Sequence, residues 1–161
     1  MKKWTWALLG LAIAMGAAGS SWAASKEDMI KGADGVDQAF LKAFNEGNVE
    51  AVAAIYWNSP DVLLFPPDAM MVKGIDSLRS SFVQMMTTMK GCKLELKERH
   101  QMAVGEVVLG WGLWRMAMPA PDSGTIEMLG RYTDVKAERD GKWVYLMDHA
   151  SVPVPPPPAS K

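Results

Sequence analysis

Between residues 31 and 46 the apolar positions Val36, Ala39, Phe40, Ala43 and Phe44 recur at helical spacing and predict one amphipathic helix. Gly47 ends it, and Asn48 stands where it can cap a second, short helix in "NVEAVAAIY". "DVLLF" is a short apolar run that reads as a buried strand and stops at Pro66-Pro67. Ile75, Leu78, Phe82, Met85, Met86 and Met89 then keep to helical steps, a third helix with Asp76 in its first turn. Past Gly91 the period changes. "CKLELKERHQM" alternates, "EVVLGWGLWRMAM" is long and apolar, and "PAPDSG" is a turn cluster. "TIEMLGRYTDVKAERDGKWVYLMDHAS" is broken only at Asp140-Gly141, a two-residue hairpin turn of type I′ character. Helices first and a long antiparallel meander afterwards predict an α+β fold in one domain, residues 24–152.

The hairpin turn also predicts a register. With Arg139 opposite Lys142, Asp134 falls opposite Met147, Tyr132 opposite His149 and Thr133 opposite Asp148. Tyr132, Asp134, Lys136, Tyr145, Met147 and His149 then share one face, and Arg131, Thr133, Val135, Ala137, Val144, Leu146 and Asp148 the other. The neighbours Asp148 and His149 point apart on this register. His149 is expected to meet Asp134, a carboxylate that would hold the imidazole in one tautomer, and Asp148 to form an ion pair with Arg131. Lys136 competes for Asp134, and a satisfied polar contact at a strand end stands beside the catalytic reading of His149. For Tyr56 the simple role is a core tyrosine bonded to backbone, and His100 sits among charges.

Composition removes several function classes. "MKK", the apolar "WALLGLAIAMGAAG" and the small-residue exit "SSWA" read as a secretory signal over residues 1–23, cut near Ala23, with a periplasmic or secreted product. The apolar run is too short for a stable membrane span. The leader would take Lys2 and Lys3 from the 17 basic residues, against 18 acidic ones, so a nucleic-acid partner is not expected. Cys92 is the single cysteine, so no intrachain disulfide is available. Thirteen methionines raise a copper(I) reading, but Met85, Met86 and Met89 fit a helical core stripe. No ligand cluster, phosphate loop or nucleophile elbow appears, so no metal or cofactor is expected. Residues 153–161, rich in proline, read as an extended tail.

"FLKAFNEGNVEAVAAIYWNSPDVLLFPPDAMMVKGIDSLRSSF", followed by "GRYTDV…DGKWVYLMDHAS", resembles the nuclear transport factor 2-like superfamily, its SnoaL-like and ketosteroid-isomerase-like branch. The resemblance implies a curved sheet wrapped around helices as a cone with a pocket, and dimers through the outer face of the sheet. It also implies where isomerase groups would sit. The general base would occupy Pro66 and the enolate-stabilising tyrosine Phe40, neither of which can exchange or donate a proton. Steroid isomerisation of that kind is not expected.

By the same resemblance the aromatics of "GLW" and "GRY" point inward, which brings Trp114, Tyr132, Asp134 and His149 towards a pocket shared with Phe40, Tyr56, Trp57 and Phe82. Leu109, Trp111, Leu113, Val135 and Leu146 then form an outer apolar face suited to a homodimer. The expected function is binding of a small apolar or aromatic molecule, with His149, Asp134 and Tyr132 as the candidate residues for cofactor-free isomerisation, dehydration or cyclisation. A non-catalytic binding or interaction module with a filled cone is the alternative. A cavity of roughly 300 Å³ or more around His149 and Asp134 would favour the first.

Overall fold

The computed structural model describes residues 25–153, so the expected leader and the tail beyond Pro153 lie outside the described residues. The first helix, α1, spans Lys26–Asn45 and begins earlier than its apolar spacing suggests, because the Ser25 side chain caps it by accepting from the Asp28 amide. Its buried face carries Met29, Ala33, Val36, Asp37, Ala43 and Phe44, while Ala39, expected inside, is exposed. Asn48 accepts from the Ala51 amide and starts the short α2, Val49–Ala53. Then come β1 (Leu63–Phe65) and β2 (Val72–Lys73), the latter too short for its pattern to announce. Helix α3 spans Ile75–Thr88.

Four long strands follow: β3 (Lys93–Val104), β4 (Val107–Pro119), β5 (Thr125–Arg139) and β6 (Lys142–Ser151). Among the described residues they join β1 and β2 in one open, curved sheet of order β2-β1-β6-β5-β4-β3. The long strands form the expected antiparallel meander. The one parallel pair, β1 with β6, makes the sheet mixed. Helix α1 lies against β3, β4 and β6, and its C-terminal end is fastened by Asn45, whose side chain accepts from Leu94 N (2.7 Å) and donates to Leu94 O (2.9 Å). The core, with Phe44, Tyr56, Leu78, Phe82, Trp114 and Tyr145, fills the space between helices and sheet.

On the inner face the cross-strand pairs match large residues with glycine: Gly110 with Asp134, Gly112 with Tyr132, and Trp114 with Gly130. A Cβ on Gly110 would collide with the Asp134 carboxylate, and one on Gly130 with the Trp114 indole. The concave side of a curved sheet has least room, and these glycines let large side chains cross it.

The hairpin register holds from Arg139–Lys142 to Lys136–Tyr145 and then changes. A bulge pairs Val135 with Met147, Asp134 with Asp148, Thr133 with His149 and Tyr132 with Ala150. One extra residue on β6 reverses the face of everything beyond it. Tyr132, Asp134, Lys136 and Tyr145 do share the inner face. Asp148 and Ala150 join them, and Met147 and His149 turn outward, the reverse of the expected assignment.

Candidate functional site

The cone holds an apolar cavity of about 90 Å³. Phe40 and Phe44 of α1, Phe82 and Met85 of α3, Met89 just beyond it, and Trp114, Met116 and Met128 of the sheet form most of its wall. Leu64 and Pro66-Pro67 close it from the β1 side. The phenylalanines and methionines hold the volume below the several hundred cubic ångströms usual for a ligand site. Thioether side chains have three rotatable bonds and adapt their shape more readily than the aromatics do.

Two polar groups interrupt this wall on the inner face, Asp148 and Tyr132, diagonal neighbours across β6 and β5. Asp148 Oδ2 accepts a hydrogen bond from the Tyr56 hydroxyl at 2.7 Å, and Oδ1 takes none among the described residues. Burial pushes the Asp148 carboxyl above its ordinary range, and the Tyr56 hydrogen bond only partly offsets it. Tyr56 in turn is held well above the usual phenol range by burial and by Asp148 beside it. The Tyr132 hydroxyl is buried with no hydrogen-bond partner among the described residues. Burial and then the charge of Asp37 raise its pKa, which keeps it a neutral donor.

Behind the cavity wall lies a charged cluster. Lys136, fully buried, places Nζ 2.7 Å from Asp37 Oδ1 and 2.9 and 3.0 Å from the two oxygens of Asp134. Asp37 also accepts from the Tyr145 hydroxyl at 2.6 Å and from Gln101 Nε2 at 2.9 Å. Two carboxylates thus share one ammonium. Desolvation raises Asp134 to about 7; Lys136 pulls the other way and Asp37 adds to the rise. Asp37 accepts the two further hydrogen bonds, while Asp134 has only the ammonium to set against its burial.

The sequence-based site therefore needs correction. His149 does not meet Asp134. Its Nδ1 lies 3.3 Å from Thr133 Oγ1 on the outer face, and its ring packs edge-on against Phe65 at 5.9 Å. Arg131 and Asp148 form no ion pair, because Arg131 Nε donates to Ser151 Oγ and Asp148 points inward. Asp134 is taken by Lys136. Tyr56 bonds a carboxylate rather than backbone, and Trp57 stands away from the cavity, under the Arg139 guanidinium at 5.7 Å. Phe40, Phe82, Trp114 and Tyr132 do line the cavity. Of the outer-face residues, Trp111 and Leu113 are exposed, while Leu109, Val135 and the bulge-adjacent Leu146 are half-buried.

Two acids of the interior were not placed there by the sequence. Asp148 was turned outward by the missing bulge, and the only trace of that bulge is the unalternating run Val144–Met147. Asp37 was legible in principle, because it falls on the Ala33–Phe40–Phe44 stripe of α1 where a charge demands a partner.

Among the described residues no group of His, Cys, Asp and Glu side chains could hold a metal ion, and no helix is long and apolar enough to cross a membrane. A family model described as the SnoaL-like domain matches residues 36–155. No curated protein matches the chain. Among solved structures, a nuclear transport factor 2-like superfamily protein from Salmonella enterica aligns with TM-score 0.72 at 14% identity, covering 84% of this chain and 98% of its own. A candidate dehydratase of the NTF2-like family from Streptomyces avermitilis gives 0.71 at 16% identity, covering 80% and 99%. An uncharacterised protein with a cystatin-like fold from Caulobacter vibrioides gives 0.68 at 23% identity, covering 80% and 92%.

Proposed function

The chain belongs to the SnoaL-like domain family, with the nuclear transport factor 2-like fold, and on that basis we propose that it binds a small, mainly apolar molecule inside the cone. The observation that carries this reading is the placing of two polar groups side by side in a mostly apolar wall: the Tyr132 hydroxyl, buried without a hydrogen bond, and the Asp148 carboxylate, whose Oδ1 accepts none among the described residues. A ligand oxygen or nitrogen placed between them would satisfy both and offset the cost of burying them. The cavity widens to admit it by rearrangement of Met85, Met89, Met116 and Met128. Where chemistry follows binding, cofactor-free proton transfer is the class that fits, as in isomerisation or dehydration. Asp148 then takes the place expected for His149, since its raised pKa brings it nearer to neutrality. The same reading has the chain exported, cut near Ala23, and paired with a second copy through the outer face of the sheet.

The filled cone keeps a specific observation in its favour, the cavity volume of about 90 Å³. Native mass spectrometry of protein purified from its own host separates the two. Ligand binding predicts a retained small molecule that Asp148→Asn and Tyr132→Phe each release. A bare chain of sequence mass, unmoved in thermal stability by either substitution or by extracts of host metabolites, would assign the cone to packing alone.

A further inference from the structure

The outer face of the sheet is ordered in rows that cross the strands. Met102, Leu109, Val135 and Met147 make one row over β3, β4, β5 and β6; His100, Trp111, Thr133 and His149 make the next. Beyond them lies the row Glu98, Leu113, Arg131 and Ser151. The large apolar side chains left exposed on this face, Met102, Val104, Trp111, Leu113 and Leu129, lie on β3, β4 and β5 and are centred on β4. Three strands, the shortest of them twelve residues long, present a face of about 40 by 14 Å, the same order as one side of a stable interface.

Charge decides what fits there. Glu98 and Arg131 flank Leu113 from either side, both exposed, and among the described residues neither has an ion-pair partner. Arg115, further along β4, is different: Glu95 and Glu127 of the same chain already hold it. We infer that a second copy of this chain covers the outer face about a two-fold axis running along β4, with Glu98 of each copy against Arg131 of the other. Rotation about β4 exchanges the β3 and β5 sides while keeping each row at its level. Leu109, Trp111 and Leu113 then meet their own counterparts, and Met102 meets Val135. Turned instead about an axis across the strands through Trp111, the two copies would press Glu98 onto Met102 and Arg131 onto Val135, burying both charges unpaired. The charge pattern selects the first axis.

This inference rests on the homodimer reading and adds its geometry. Sedimentation velocity over a concentration series tests both, on full chains checked for fold by circular dichroism. The wild-type chain is expected to dimerise. Glu98→Arg and Arg131→Glu should each raise the dissociation constant about tenfold or more, because each sets like charges together twice per dimer. The double variant Glu98→Arg/Arg131→Glu should recover most of the loss. A wild-type dimer indifferent to either single substitution, or a double variant as weak as the singles, overturns the axis and leaves the dimer standing. A wild-type chain that stays monomeric at every concentration overturns both, and gives the face to a different partner.

Discussion

Asp134 is the residue whose proton matters most. Its folded pKa of about 7 lies above the ordinary 3.8, so between these values the folded chain keeps a proton that the unfolded chain has lost. Stability from this group is therefore full below about pH 4, falls as pH rises towards 7 and is flat above, a change on the order of 4 kcal/mol. Asp148, raised in the same direction, adds a slope of the same sign. Asp134→Asn should remove its share: its unfolding free energy relative to wild type should improve steadily from pH 4 to 7, in urea titrations at a series of pH values. Lys136 stands on the other side of the balance. Lys136→Ala leaves the two carboxylates buried without their cation, and an equilibrium unfolding curve at pH 7.5 should show a loss of about 3–5 kcal/mol.

At the scale of elements, the joint between α1 and the sheet depends on the asparagine of "NEG". Asn45 is the last residue of the helix and pairs with both backbone groups of Leu94 at the start of the outermost strand, β3. Asn45→Ala leaves the Leu94 amide and carbonyl without that partner, and a destabilisation of about 1–3 kcal/mol is expected. Hydrogen exchange gives the sharper signature, with protection lost at Leu94 and the end of α1 before the β4–β5 pair is affected. The β6 bulge is the other element that matters. It turns Asp148 into the cone and His149 out of it, so the acid in the cavity wall is placed by one extra residue in a strand.

For the whole molecule, two surfaces compete to explain the fold's use: a narrow, mostly apolar cone holding Asp148 and the unpartnered Tyr132 hydroxyl, and an outer sheet face with exposed large apolar side chains. They are on opposite sides of one sheet and do not exclude each other. Trp111, 40% exposed and stacked on His100 at 5.7 Å, sits at the centre of the outer face. Trp111→Lys would bring two ammonium groups together across the inferred axis, and the hydrodynamic mass should halve while the circular dichroism spectrum stays unchanged. A chain of undiminished mass would remove this face from the interface.

The order of the helices and long strands, the Asn48 cap, the Asp140-Gly141 turn and the family pattern could all be read from the sequence. Each depends on residues a few positions apart, where capping, period and turn chemistry act without help from the rest of the chain. Phe40, Phe82, Trp114 and Tyr132 were also legible as cone residues, through the resemblance and the strand period. What the sequence could not decide were quantities set across long separations. The bulge at β6 costs one unpaired residue, yet it brings Asp148 within reach of Tyr56, 92 positions earlier. The ammonium of Lys136 is placed by Asp37, on the first helix, as much as by its strand neighbour Asp134. The cavity volume is the small remainder after all these side chains have packed, and no local pattern encodes a remainder. Local chemistry determined which elements form; only their packing decided which acid faces the cone.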